Sequence, residues 1–267
     1  MCHYCDYQAA VPNACPDCKS PGLRYSGLGT QKLEAEVRAR FPEHACLRMD
    51  TDSMRSRGSH EQALAAFRDG KVRILLGTQM IAKGLDFPNV TLVGVINADT
   101  ALHLPDFRAA ERTFQLVTQV AGRTGRGAQG GRVLVQTFSP DTPAIMAAVR
   151  HDYGAFARVE LPQREAAGYP PFASMVRIVV RGESERGARA LADELGRRLR
   201  AKADGAVRVL GPAPAPMTKL RGQYRFQIQL QSIDGELLRT VVRAATADLK
   251  PPEGLVWTVD VDPWDMM

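Results

Sequence analysis

No stretch of the 267 residues reads G-x-x-x-x-G-K-[ST], the loop whose backbone N–H groups cradle nucleotide phosphates. The Gly-Lys pair Gly70-Lys71 runs on into Val72 and has no glycine at the upstream spacing. An acidic Mg²⁺ motif is missing too. Asp193-Glu194-Leu195-Gly196 lies in an Arg/Ala-rich helical pattern and reads as a solvated helix face. With no apolar run of about eighteen residues, no membrane-spanning helix is expected. The start, Met1-Cys2-His3-Tyr4-Cys5-Asp6, has neither a basic n-region nor an apolar h-region, so it does not read as a secretory signal. Internal repeats and low-complexity tracts are absent.

What remains is ordinary for a globular chain: 45% apolar residues and 24% charged, enough to bury one large core or two modest ones. The net charge of +6 and a pI near 9.2 permit nucleic-acid binding. That charge is uneven. Arg177 to Arg225 holds twelve Lys/Arg against five Asp/Glu. A solvated surface and a contact to a nucleic-acid backbone both account for the excess.

The stretch Gln119 to Arg126, Q-V-A-G-R-T-G-R, places Arg123 and Arg126 three residues apart, each after a glycine, at the end of a helical pattern. A guanidinium meets phosphate with a planar, permanently charged fork, and glycine lets a ligand approach the backbone closely. About forty residues upstream, the apolar run Val72 to Leu76 has the residue types of a buried strand. It leads into Gly77-Thr78-Gln79-Met80-Ile81-Ala82-Lys83-Gly84-Leu85-Asp86-Phe87-Pro88. A polar loop after a strand sits where open α/β sheets bind ligands.

Together the two elements resemble motifs V and VI of superfamily 2 helicases, and the wording is closest to the bacterial replication-restart helicase family PriA (primosomal protein N-prime). Further phrases carry the same resemblance: Gly27-Leu28-Gly29-Thr30, Pro105-Asp106-Phe107-Arg108-Ala109-Ala110-Glu111-Arg112, Tyr169-Pro170-Pro171-Phe172-Ala173, Val209 to Pro216 and Asp260-Val261-Asp262-Pro263. Two positions depart from it, Leu85 where His is favoured and Gln31 where Glu is usual. The resemblance implies that Arg123, Arg126 and Gln119 face the γ-phosphate of ATP held on a preceding lobe. It also implies that Gly84, Asp86 and Lys83 serve the nucleotide, and that Thr78 and Gln79 touch the DNA backbone. Phosphate loop and Mg²⁺ site belong to that first lobe. The expectation is therefore the C-terminal part of such a helicase, either a fragment or a chain whose start was assigned late, inactive in ATP hydrolysis by itself. Implied partners are single-stranded or forked DNA, primosome proteins and single-strand-binding proteins, in the cytoplasm and with no membrane.

Four of the five cysteines form two pairs, Cys2-x-x-Cys5 and Cys15-x-x-Cys18. Such spacing lets a turn aim two thiolates at one tetrahedral Zn²⁺. Disulfides are the alternative, but a cytosolic nucleic-acid enzyme keeps them reduced. One four-thiolate site is open to these residues. The family pattern, with pairs divided between two ions, implies two half-built sites. Cys46 stands alone and reads as a buried structural residue.

Cysteine spacing points to a zinc-binding segment over 1–22, and strand–helix alternation to a mostly parallel sheet with helices on both faces over 23–140, which the resemblance makes a RecA-like second helicase lobe. A helical connector over 141–172 follows, broken at Pro162 and Pro170-Pro171. The α+β C-terminal domain over 173–267 has split-βαβ (ferredoxin-like) order: strand 175–181, helix 183–203, strands 207–210 and 224–231, helix 234–249, strand 255–261. Between its middle strands the Pro-rich loop Gly211 to Gly222 carries Lys219 and Arg221. That loop is either a stiff basic finger over DNA or a rigid spacer.

Overall fold

Short Leu-, Val- and Ile-bearing runs become strands, and they pair in parallel. Cys46–Met49 forms β1 and Ile74–Gly77 forms β2, in register from Cys46↔Ile74 to Met49↔Gly77. The computed structural model describes residues 14, 18–20, 29–50, 53–54, 58–78, 81, 89–122 and 130–267. They divide into two units. One comprises the described residues up to Leu102 together with Glu111–Tyr153, the other His103–Ala110 together with Gly154–Met267.

In the first unit, helices α1 (Thr30–Arg40) and α2 (Ser59–Arg68) pack on β1. A parallel pair needs a crossover, and α2 supplies it between β1 and β2. At the end of β2 only glycine fits: a Cβ on Gly77 would lie 2.5 Å from the Met49 carbonyl oxygen. Leu92–Val95 (β3) and Arg132–Val135 (β4) form a second parallel pair, and α3 (Asp99–Leu102) lies in their crossover. The Asp99 carboxylate accepts from Thr137 Oγ1 and Phe138 N, both at 2.9 Å, and so ties α3 to the chain after β4. Among the described residues, the strands therefore form two parallel pairs rather than one sheet. Among the described residues, one face of the second pair stays open. Exposure alternates along it, leaving Leu92 and Leu134 59% and 62% exposed. Similarly, α1 aligns Leu33 and Val37 but buries no residue. Cys46 is half-buried, and burial pushes its thiol pKa up.

Two helices follow, α4 (Ala109–Ala121) and α5 (Pro143–Val149). Proline at the start of α5 costs nothing, since a first-turn N–H has no helical partner. Helix α6 (Tyr153–Ala167) corrects one expectation, because Pro162 lies inside it and does not break it. The residues it buries, Phe156, Glu160 and Arg164, flank Pro162 and fix the helix on both sides. Glu160 and Arg164 pair there at 2.9 Å. The helix ends at Gly168, whose φ of 69° suits a C-terminal cap.

The C-terminal elements run β5 (Ser174–Gly182), α7 (Glu185–Lys202), β6 (Arg208–Leu220), β7 (Gln223–Ser232), α8 (Gly235–Thr246) and β8 (Leu255–Val261). The four strands form one antiparallel sheet in the order β6-β7-β5-β8, the split-βαβ arrangement. Val176, Ile178, Val180, Phe226, Ile228 and Leu230 face α7 and α8, meeting Leu195, Leu199, Leu238 and Val241 in one core. Each fully buried Leu or Ile there is worth about 1.5–3 kcal/mol. Ser184 and Asp234 cap the helices, their side-chain oxygens accepting from Gly187 N and from Glu236 N and Leu237 N.

Gly211 to Leu220 is not a loop. It continues β6 along β7, with register shifts between Leu210/Ala213 and Pro214/Lys219. Prolines are tolerated because β6 is an edge strand, where an outward-facing N–H has no ladder partner to lose. A two-residue turn closes the hairpin, with Arg221 at φ 50° and Gly222 at φ 83°, the double positive φ of a type I′ turn.

Candidate nucleic-acid interface

The hairpin tip brings together the two basic residues anticipated there. Lys219 and Arg221 are both exposed. Lys219 Nζ lies 4.5 Å from the centroid of the Tyr224 ring and 3.4 Å from its hydroxyl. The ring orients the ammonium while leaving it open to an anion. The side chains of α7 confirm that Asp193 and Glu194 serve the helix surface, pairing with Arg189, Arg197 and Arg198.

In the first unit, α4 buries Phe114 and Val117 and leaves Gln119 half-buried two residues from its end. Phe114 meets the Tyr153 ring at 6.0 Å. Arg123 and Arg126 lie outside the described residues, as do Gln79, Lys83, Gly84 and Asp86. Thr78 is exposed directly after β2, and its carbonyl accepts from Ile81 N at 3.2 Å, which bends the chain at that strand end. Of the cysteine pairs, Cys18 alone is described, as an exposed free thiol. Cys2, Cys5 and Cys15 lie outside the described residues.

Sequence reasoning missed a cluster joining the starts of α1 and of the turn after β1. Asp50, buried at the end of β1, accepts from Thr30 Oγ1 at 2.6 Å and from Ser53 N at 2.8 Å. Arg48 lies 3.1 Å from the same carboxylate and 3.2 Å from Glu34. The Thr30 hydroxyl, then the Ser53 N–H, and last the Arg48 charge lower the Asp50 pKa to about 2, against the opposing effect of burial. Its only sequence signal was Gly29-Thr30 opening a helix beside a strand that ends in Asp50.

A second missed site occupies the sheet face turned away from α7 and α8. Buried there are Arg177, Gln227, Gln229 and Gln231. Arg177 Nε donates to Gln227 Oε1 at 3.1 Å. Yet Arg177 Nη2, Arg225 Nη1, Gln227 Nε2 and both polar atoms of the Gln231 amide find no partner among the described residues. Leaving a buried donor or acceptor unpaired costs about 1–3 kcal/mol. The alternation in Gln223-Tyr224-Arg225-Phe226-Gln227-Ile228-Gln229-Leu230-Gln231 was the available signal. It showed a polar face but not its burial.

Beside this face, the Pro105 to Arg108 segment packs with the C-terminal elements. Phe107 stacks on Tyr169 and, with Met175 and Met266, forms a small buried cluster. Asp106, fully buried, accepts from Arg108 N at 2.8 Å and Met266 N at 3.2 Å. Arg108 donates to the Pro263 carbonyl at 2.8 Å.

Comparison with known proteins gives the class first. A helicase conserved C-terminal domain matches residues 29–128, and a primosomal protein N C-terminal domain matches residues 165–264. The chain thus carries a helicase-type C-terminal domain followed by a primosomal-protein C-terminal domain. More particularly, along its whole length it is similar to the C-terminal part of PriA proteins. Replication restart protein PriA of Bacillus subtilis (strain 168) is 40% identical over 270 residues, covering 100% of this chain and 33% of that protein. PriA of Treponema pallidum (strain Nichols) is 44% identical, covering 100% and 40%. PriA of Haemophilus influenzae is 40% identical, covering 99% and 36%. The chain therefore spans only 33–40% of the length of these relatives. No helix among the described residues is long and apolar enough to cross a membrane.

Proposed function

We propose that this chain is the second lobe and C-terminal DNA-binding domain of an ATP-dependent 3′-to-5′ DNA helicase of replication restart. The observation that carries the reading is the succession of the two family matches along one chain that aligns with PriA throughout. In this reading Arg123 and Arg126 stabilise charge on the γ-phosphate of ATP bound to a preceding lobe, and Gln119 senses the nucleotide. Gly84, Asp86 and Lys83 contact the nucleotide or couple it to DNA. Thr78, Gln79, Lys219 and Arg221 hold the DNA backbone. Cys2, Cys5, Cys15 and Cys18 would hold Zn²⁺, one or two ions, which fixes a segment with little core of its own. ATP closes the two lobes and hydrolysis reopens them, stepping one lobe along single-stranded DNA. Primosome and single-strand-binding proteins are the expected partners. The division into a zinc segment over 1–22, a lobe over 23–140, a connector over 141–172 and a C-terminal domain over 173–267 belongs to this proposal.

The second reading is a non-enzymatic, zinc-containing module that binds DNA or primosome proteins. It is favoured by the lack of a phosphate loop in these 267 residues. Arg123→Ala separates the two readings. In a protein restored with its first lobe it abolishes ATP hydrolysis under the helicase reading and leaves the DNA affinity of this chain nearly unchanged. Under the module reading, the restored protein gains no hydrolysis for the substitution to remove.

A further inference from the structure

The sheet face away from α7 and α8 is made of arginines and amides in a regular grid. The register sets Arg177 opposite Gln229, Val179 opposite Gln227 and Arg181 opposite Arg225 on strands β5 and β7. Arg208 of β6 stands opposite Gln231. Directly opposite residues share a face, so four arginines occupy three adjacent strands. Asp260, opposite Arg177 on the edge strand β8, and the Asp265 and Asp106 carboxylates supply negative charge near Arg177.

Arg208 reaches the Ala167 carbonyl at 3.4 Å and Gln231 lies against Gly168, whereas the segment Pro263–Met267 covers Arg177 and Arg225. Arg177 Nη1 donates to main-chain oxygens of Asp265 and Met267 at 3.0 and 3.2 Å, and Arg225 Nη2 to that of Met267 at 3.4 Å. The Met266 side chain enters the cluster of Phe107, Tyr169 and Met175. This cover matches its face poorly. Arg177, 3% exposed, and Arg225, both touched by this segment, keep Nη2 and Nη1 buried and unpaired among the described residues. Burial, with the neighbouring Arg225 charge, presses the Arg177 pKa below its ordinary value.

We propose that this face is a platform for the backbone of single-stranded nucleic acid, and that Pro263–Met267 is a strap over it which the strand displaces. The proposal rests on the DNA-binding reading given above. A phosphate oxygen would take both guanidinium forks, and the Gln amides offer donors and acceptors to phosphate and base edges alike. Displacing the strap also removes the Asp265 carboxylate from the face. Arg181, exposed at the open side of the grid, gives an incoming strand its first positive contact.

The test measures fluorescence anisotropy of a labelled fifteen-residue oligothymidylate with the full chain and with a chain ending at Pro263. The shortened chain should bind at least tenfold more tightly, and adding Arg177→Gln to it should return affinity to the full-chain value or below. Because shortening the chain disturbs a buried cluster, hydrogen exchange on the unaltered chain supplies a second reading. Saturating oligothymidylate should speed exchange at the Met266 and Met267 amides, which donate to Asp106 and Asp265. Slower or unchanged exchange there overturns the strap, as does binding that is indifferent to both shortening and Arg177→Gln. If oligothymidylate binds only through Lys219 and Arg221, the platform fails while the DNA-binding reading stands. If neither form binds it, that reading fails too. Release of the strap by an acidic peptide instead of the oligonucleotide would also overturn the proposal and assign the face to a protein partner.

Discussion

The rings of Phe107 and Tyr169 stack with centroids 4.6 Å apart and planes 8° from parallel, both residues being almost wholly buried. Phe107 precedes α4, whereas Tyr169 follows α6, so one aromatic pair ties a short upstream segment into the C-terminal unit. The Arg108 and Arg164 guanidinium groups lie 4.1 and 5.3 Å from the Phe107 ring. Phe107→Ala should destabilise the C-terminal unit by about 3–5 kcal/mol, the range for emptying a buried aromatic site. Phe41→Ala, at a residue 45% exposed, should stay within about 0.5 kcal/mol. Denaturant unfolding of each variant, followed by near-ultraviolet circular dichroism, compares them.

Gly77 supports a second prediction. A methyl group there meets the Met49 carbonyl oxygen at 2.5 Å and the Ile81 side chain at 2.9 Å, so β1 and β2 must separate. Gly77→Ala should cost about 1–3 kcal/mol, as overpacking does elsewhere. Gly70→Ala meets no atom within 4 Å but sits at φ 74°, so its cost is purely backbone strain. Thermal melts of both variants measure the difference, which would be lost if β1 and β2 separated freely.

Asp50 gives a pH dependence. Its folded pKa, about 2, is depressed below the ordinary 3.8. The stabilisation is therefore fully present above pH 4 and fades as pH falls through 2, because the unfolded carboxyl takes up its proton first. Asp50→Asn should melt lower than the parent at pH 6, with the gap narrowing steadily from pH 4 to pH 2. A gap that stays constant across that window would show that the carboxylate charge contributes nothing.

Lys219 and Arg221 carry the prediction for DNA. Each phosphate contact on a single strand adds about 0.7 to the slope of log affinity against log salt. Replacing both with Ala should reduce that slope by roughly 1.4 and weaken binding equally for all sequences. Salt titrations with oligothymidylate and a mixed-sequence strand of equal length check both statements.

Strands that bury one alternating face were legible in advance. The run 255–261 is β8 without adjustment, and the expected strand 224–231 lies within β7. Local rules failed where tertiary context supplies what a residue lacks. Prolines 212, 214 and 216 pointed to a loop, but an edge strand needs fewer N–H groups, so β6 runs through them. Pro162 pointed to a break, yet buried neighbours on both sides hold α6 together. The basic hairpin tip was readable because both its charges lie within one short segment. The Arg177 grid was not, since arginine in a strand reads as facing water. Its partners Asp265 and Met267 are remote in sequence, and no periodicity announces them.

The most direct measurement is the DNA-stimulated ATP hydrolysis of a protein in which these residues follow the first lobe of a PriA chain, with and without Arg123→Ala. The account predicts a fall of about 10³-fold or more, the scale on which an arginine finger acts, with DNA affinity nearly unchanged. Undiminished hydrolysis in the Arg123→Ala protein would contradict it.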